Sequence, residues 1–304
     1  MFFLSENSEL LLWSLAAGGM FSLNAVAYRL GQDRGIPPVH IAGLTSLIAI
    51  VLLGGSGVIS GELFRPSGSF LFWGLAAGFS QYLMNLLVRP ALNYISLSAV
   101  WCALMLYFIP VSLFSWLMLR ENFQLGCLIG IPAAVGAVYF ASRRLTREGE
   151  NKLCLKTGPF LLLCALAVCN GLAPLVMKLC SRYAVLPDGE DPLVKYRIAF
   201  LFWFYAGIAL PSFWDFARFS ASEQRWSRLY LCAAVMTIGS LGGMGIQCRL
   251  MQAPAALVFP TINVTSVLLV GIVSLLFFRE KMTVSRLVTI GLALLTILTF
   301  SICG

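Results

Sequence analysis

The side chains that could bind a ligand are mostly amides, and they lie inside long apolar segments. An amide carries both a hydrogen-bond donor and an acceptor, so it can bind polar groups of either kind without a charge. A polar group in hydrocarbon needs a partner, which can be a substrate or a neighbouring helix. Both interpretations stay open for each amide. The amides are Asn24, Gln81, Asn85, Asn170, Gln247 and Asn263, accompanied by the hydroxyls of Ser240, Thr261 and Thr265.

Aromatic side chains lie at similar positions within these segments, and an aromatic wall can hold a planar ring or a quaternary ammonium group. Simple packing is the alternative role. Gln81 and Asn85 are four residues apart and share one helical face. The predicted substrate-binding residues are Asn24, Gln81, Tyr82, Asn85, Trp101, Tyr107, Asn170, Gln247 and Asn263.

Carboxylates and histidine are missing from the middle of every apolar segment. Glu121, Glu280 and Asp215 each end such a segment, and His40, the one histidine, begins another. Deep carboxylates usually mark proton relays, so their absence argues against proton coupling. A hydrolase is disfavoured, because the one histidine lies at the end of a span and the sequence has no G-x-S-x-G nucleophile motif. The cysteines show no C-x-x-C and are interpreted as small hydrophobic residues. We therefore predict no enzymatic activity, no cofactor and no metal site.

The composition identifies an integral membrane protein. Hydrophobic residues make up 59% of the chain and charged residues 11%, with a mean hydropathy of +0.87. Soluble domains carry about 25% charged residues. The net charge of +8 comes mainly from single basic residues at the ends of apolar runs, which predicts contact with lipid headgroups and not with nucleic acid.

Ten apolar runs are long enough to cross a bilayer, for which about 20 residues are needed. All are expected to be helices, so the predicted fold class is an all-α membrane protein. The predicted spans are residues 10–28, 39–59, 69–92, 96–119, 124–142, 158–180, 196–214, 228–250, 255–278 and 285–302.

A repeated motif indicates that the chain is a tandem duplication. Residues 115–123 read S-W-L-M-L-R-E-N-F, residues 274–282 read S-L-L-F-F-R-E-K-M, and 279 − 120 gives an offset of 159. The charged stretch Arg143–Lys156 is the natural joint between two halves of five spans each. Because five is odd, the second half must be inverted in the membrane. Inverted repeats of this kind build transporters.

The same region resembles the drug/metabolite transporter superfamily, in its EamA-type ten-helix branch. The resemblance rests on A-L-N-Y-I-S-L-S-A-V-W from Ala91, Pro110-Val111, L-R-E-N-F, and the glycines at 126, 130 and 136. The second copy keeps Ala255-Ala256 and Leu276–Glu280, but Leu269 replaces the proline and Thr289 a glycine. The resemblance implies EamA-type repeats at 1–150 and 151–304. It also implies a central cavity lined mainly by spans one, three, four, six, eight and nine, working by alternating access.

Together these features predict a secondary transporter of a small organic metabolite, such as an amino acid, a quaternary amine or a nucleoside-like compound. A lipid-handling flippase or scramblase, or a channel-like facilitator, is the alternative. We expect a monomer or homodimer in a bacterial inner (plasma) membrane. Most of the 21 Lys and Arg residues fall on the side opposite the N-terminus, which predicts external termini, whereas the resemblance implies internal ones.

Overall fold

The structure is a computed structural model that describes residues 6–32, 35–64, 68–94, 104–121, 126–142, 157–184, 190–217, 223–277 and 284–303. Within these ranges the secondary structure is helix and turn. The long helices are α1 (Glu6–Gln32), α2 (Pro38–Ser60), α3 (Gly68–Tyr94), α4 (Phe108–Leu119), α5 (Gly126–Ser142), α6 (Thr157–Tyr183), α7 (Arg197–Ala217), α8 (Glu223–Arg249), α9 (Ala255–Phe277) and α10 (Val284–Cys303). A 3-10 turn covers Glu62–Phe64, and one helical turn covers Pro192–Lys195.

Seven of the described helices, α1, α2, α3, α6, α7, α8 and α9, are long and apolar enough to cross a membrane. Helix α4 is apolar but shorter. The prediction of an all-helical, multi-pass membrane protein is therefore confirmed. The count of ten spans stays a prediction.

Span four departs from the predicted continuous helix. Leu106 and Tyr107 form a turn between residues 104–105, which are helical, and α4, which begins at Phe108. Pro110 explains this break, because proline has no N–H for the carbonyl of Leu106 and its ring crowds that carbonyl. In the first turn of a helix the same residue is tolerated. At the sequence offset of 159 the counterpart of Pro110 is Leu269, and α9 runs through that position without a break.

The chain divides into two compact units. The first comprises Met1–Ser22, Pro90–Gly171 and Ala253–Gly304, and the second comprises Leu23–Arg89 and Leu172–Gln252. This division by packing does not test the predicted repeats at 1–150 and 151–304. In the first unit, α5 packs against α10, and α9 packs against α4, α5 and α10.

In the second unit α2 and α7 pack along their length in opposite directions. A Cβ atom added to Gly43 would lie 3.1 Å from Cβ of Ser212, and one added to Gly57 would lie 3.2 Å from Cγ2 of Ile198. As the number rises along α2, the number of its neighbour on α7 falls. The two helices are therefore antiparallel.

Helix α3 approaches α7 most closely at two glycines. A Cβ on Gly78 would overlap the carbonyl oxygen of Phe204 and lie 3.0 Å from Cα of Gly207. A Cβ on Gly207 would lie 2.5 Å from the carbonyl oxygen of Leu75. The missing side chains let the two backbones touch, as small residues do between membrane helices.

Candidate functional site

The predicted binding residues fall into both units, and each group is described within its own unit. Trp101 lies outside the described residues. The first unit holds Tyr107, Asn170 and Asn263, and the second holds Asn24, Gln81, Tyr82, Asn85 and Gln247.

In the first unit the two asparagines meet at the break before α4. Nδ2 of Asn170 donates to the carbonyl oxygen of Leu104 at 2.8 Å, and Nδ2 of Asn263 donates to that of Met105 at 2.9 Å. A break in a helix leaves carbonyl groups with too few donors, and hydrocarbon supplies none. These amides therefore donate to the carbonyl groups just before the break, and the carbonyl of Leu104 also accepts from the backbone N–H of Tyr107 at 3.3 Å.

Tyr107 belongs to the same assembly. Its ring packs edge-on against Phe259, with centroids 5.9 Å apart and an interplanar angle of 68°. A Cβ on Gly171 would lie 3.3 Å from the carbonyl oxygen of Tyr107, so α6 closes over the break. The contacts of Tyr107, Asn170 and Asn263 indicate a structural role. Their role in substrate binding stays a prediction.

In the second unit an amide and a tyrosine join α1 to α3. Oη of Tyr28 donates to Oδ1 of Asn85 at 3.0 Å, and both residues are buried. Asn24 lies one turn before Tyr28, and Gln81 one turn before Asn85, so each helix carries a second amide on this face. Oδ1 of Asn24 is buried and has no hydrogen-bond partner among the described residues. An acceptor in that condition is open to a donor from a ligand.

Helix α8 carries a second incompletely bonded amide. Gln247 is 2% exposed, and its Nε2 has no hydrogen-bond partner within the described ranges. Ser240 lies two turns earlier on α8, and its hydroxyl shares a hydrogen bond of 2.7 Å with the hydroxyl of Tyr205 on α7. Both hydroxyls therefore have a partner. Among the described residues, Gln247 therefore has an unpaired donor, Nε2, and Asn24 has an unpaired acceptor, Oδ1.

Tyr82 takes part in a group that the sequence did not reveal. Its Oη donates to Oδ2 of Asp215 at 2.9 Å. Nε2 of His40 lies 3.2 Å from the carbonyl oxygen of Asp215, and it is the donor because a carbonyl oxygen only accepts. The sequence assigned His40 and Asp215 to the ends of spans two and seven. The signal that could have paired them is the predicted inverted repeat, because inverted counterparts would bring the start of α2 beside the end of α7.

The Arg-Glu motif proves to be a helix-terminating device in its first copy. Arg120 has a left-handed conformation, with φ of 53°, and ends α4. Oε2 of Glu121 accepts a hydrogen bond of 2.8 Å from the backbone N–H of Ala255, the first residue of α9. A carboxylate at a helix N-terminus satisfies an unpaired N–H and complements the helix dipole. Arg279 and Glu280 lie outside the described residues.

Two further features bear on chemistry. Lys178 on α6 is only 3% exposed, although the sequence indicated no role for it. Among the described residues no group of three or more His, Cys, Asp or Glu side chains is arranged to hold a metal ion.

Part of the chain is similar in sequence to a known family, and the chain is similar in fold to a solved structure. Residues 9–143 match the model of the EamA-like transporter family, which confirms the resemblance. A crystal structure of another protein superposes with a TM-score of 0.72 and 14% sequence identity, covering 96% of each chain. At this identity the likeness concerns the fold alone. None of the curated proteins compared with the chain matches it.

Proposed function

Residues 9–143 match the model of the EamA-like transporter family, and on this basis we propose that the protein is a secondary transporter that moves a small organic metabolite by alternating access. The family match carries the proposal, because members of this family transport small molecules and are not enzymes. An amino acid, a quaternary amine or a nucleoside-like compound would suit the amides and aromatic rings of the candidate site.

Two inverted five-helix halves are part of the proposal, and the helix bounds support them. Adding 159 to the bounds of α2, 38–60, gives 197–219, and α7 is Arg197–Ala217. Adding 159 to those of α5, 126–142, gives 285–301, and α10 is Val284–Cys303.

The direction of packing supports inversion. Helices α2 and α7 are counterparts at this offset and are antiparallel, so a two-fold axis relating them must be perpendicular to both. Such an axis lies in the membrane plane. The α3–α7 contact at Gly74 and Phe204 has counterparts at Ala233 and Thr45, and Oγ1 of Thr45 donates to the carbonyl oxygen of Ala233 at 3.3 Å.

Asn24 and Gln247 are the residues that we propose most specifically as substrate ligands. A buried amide group without a partner costs stability, since its desolvation is not repaid. A substrate that accepts a hydrogen bond from Gln247 or donates one to Asn24 would offset this desolvation cost. Asn85, Asn170 and Asn263 already have intramolecular partners, so their contribution to binding would be through the remaining amide atoms.

The experiment compares transport and stability in the same variants. Gln247→Met and Asn24→Leu keep the side-chain volume close to that of the amide and remove its polar atoms, while Gln252→Ala at an exposed position is the control. A metabolite identified by thermal shift with purified protein is then tested for counterflow in proteoliposomes.

We expect saturable counterflow in the wild type and in the control. Both amide variants should lose it at an unchanged or raised melting temperature. A lowered melting temperature with loss of transport would instead assign these amides to helix packing. Flux that rises linearly with concentration would identify a channel, and movement of lipid without metabolite would identify a scramblase.

A further inference from the structure

Asp215 lies where three helices of the second unit converge. It is in the last turns of α7, and its carboxylate accepts from Tyr82 of α3 at 2.9 Å. Its backbone carbonyl accepts from His40, at the start of α2. The Tyr82 hydroxyl therefore orients Oδ2 of the carboxylate, and the His40 imidazole fixes the backbone carbonyl of the same residue.

The negative charge of Asp215 has no cationic neighbour within ion-pairing distance among the described residues. Glu190, by contrast, pairs with Lys195 at 3.1 Å. The C-terminal end of a helix is the negative end of its dipole, which favours a cation and not an anion. Because Asp215 is partly exposed, this negative potential is accessible to a ligand.

The carboxylate contacts one aromatic residue, Tyr82, whose ring has a second ring beside it. The ring of Tyr82 is partly exposed, and the ring of Phe79, which is 49% exposed, lies 6.2 Å from it. A phenol that donates its proton toward a carboxylate has a more electron-rich ring, which strengthens attraction for a cation over its face. A carboxylate next to an aromatic side chain is a combination that recognises organic ammonium groups.

The helix packing does not require this group. At the offset of 159 the counterparts of His40, Tyr82 and Asp215 are Ala199, Leu241 and Ser56. Under the proposed inversion these three residues lie at the opposite end of the α2–α7 pair, and none of them is titratable. His40, Tyr82 and Asp215 thus occur at only one end of the α2–α7 contact, and helix packing alone does not explain them.

We propose that Asp215 and Tyr82, flanked by Phe79, form a binding site for an organic ammonium group. Resting on the proposed transport function, the inference assigns an ammonium moiety to the substrate. A lipid headgroup offers the same chemistry, so the test must distinguish the two sources.

The test measures binding directly and does not depend on transport. Choline is titrated into the purified full-length protein in nanodiscs of phosphatidylglycerol, and binding is followed by calorimetry. Its neutral isostere 3,3-dimethyl-1-butanol and potassium chloride are titrated in parallel. Asp215→Asn keeps an acceptor for Tyr82 and removes only the charge, Tyr82→Leu removes the ring, and Glu190→Gln is the matched control at a carboxylate that is already paired.

We expect choline to bind and the neutral isostere not to bind. Asp215→Asn should weaken choline binding at least about tenfold through loss of the ion pair, and Tyr82→Leu about tenfold through loss of the ring. Glu190→Gln should leave binding unchanged. Replacing phosphatidylglycerol by phosphatidylcholine leaves choline binding intact if the ligand is a soluble ammonium compound, and abolishes it if lipid headgroups fill the site.

Equal binding of choline to the wild type and to Asp215→Asn, or equal binding of the neutral isostere, would overturn the ammonium site. Competition by potassium at equal concentration would reassign it to inorganic cations. Absence of choline binding together with saturable counterflow of an uncharged metabolite would remove this inference and leave the proposed transport function standing.

Discussion

Gly78 on α3 offers a direct test of the closest helix contact in the second unit. In Gly78→Ala the new Cβ would overlap the carbonyl oxygen of Phe204 and approach Cα of Gly207 to 3.0 Å. Nonbonded carbon atoms prefer about 3.5–4.0 Å, so α3 and α7 must separate by roughly 1 Å at this point. Overpacking of this kind typically costs about 1–3 kcal/mol.

The same substitution at an open position should have the opposite sign. A Cβ on Gly245 of α8 would meet no atom within 4 Å, so Gly245→Ala is the matched control. Alanine is better than glycine in a helix interior by up to about 1 kcal/mol, and the control should gain part of this. Thermal unfolding, measured in one detergent at one heating rate, should therefore show a melting temperature for Gly78→Ala that is lower by several degrees. The conversion for chains of about 150–250 residues is about 2–4 °C per kcal/mol.

Gly78 also tests the ammonium site, because α3 and α7 run parallel past it. Tyr82 lies one turn beyond Gly78, and Asp215 two turns beyond Gly207. Separation of the helices should lengthen the Tyr82–Asp215 hydrogen bond and weaken choline binding in Gly78→Ala but not in Gly245→Ala. If the two alanine variants melt alike and bind choline alike, α3 and α7 do not approach as described and the reasoning fails.

Three further substitutions have defined expected outcomes. Glu121→Ala should lower stability by about 0.5–2 kcal/mol through loss of the cap on Ala255, and Glu121→Gln should lose less because an acceptor remains; equal melting of both variants and wild type would contradict this. Asn263→Ala should lower the melting temperature by exposing the carbonyl of Met105 without a donor, whereas unchanged stability with lost transport would favour a substrate ligand. Burial raises the pKa of the Asp191 carboxyl, so the contribution of this carboxyl to stability is greatest below its ordinary pKa of about 4 and is lost as the pH rises through the raised pKa. The stability of Asp191→Asn should therefore depend less on pH than that of the wild type. An unchanged pH profile of stability would refute this prediction.

Much of the helix framework could be predicted from apolarity alone. The predicted span 39–59 corresponds to α2 (Pro38–Ser60), and 255–278 corresponds to α9 (Ala255–Phe277). Bounds were less accurate where polar ends extend a helix, as in α1, predicted at 10–28 and observed at Glu6–Gln32. Apolarity measures transfer into lipid, and a helix continues beyond the lipid wherever its ends find partners.

The candidate site was less predictable, because its contacts join residues that are distant in the sequence. The position of the amides in apolar runs identified them as candidates. It did not show which of them have hydrogen-bond partners within the protein. Asn263 bonds a carbonyl 158 residues away, and His40 bonds one 175 residues away. Pro110 carried a local signal for the break in span four, yet only the fold shows that Asn170 and Asn263 donate to carbonyl groups beside it.

A duplicated scaffold locates function at the positions where its halves differ. Contacts that recur at the offset of 159, such as Gly74 with Phe204 and Ala233 with Thr45, are explained by the fold that both halves would share. A substrate of ordinary chemistry has no two-fold symmetry, so residues that bind it gain nothing from having an identical counterpart. Gln247 has Val88 as its counterpart, and Asp215 has Ser56. Under the proposed function, a ligand that hydrogen-bonds with Gln247 or pairs with Asp215 would supply free energy that the symmetric packing does not.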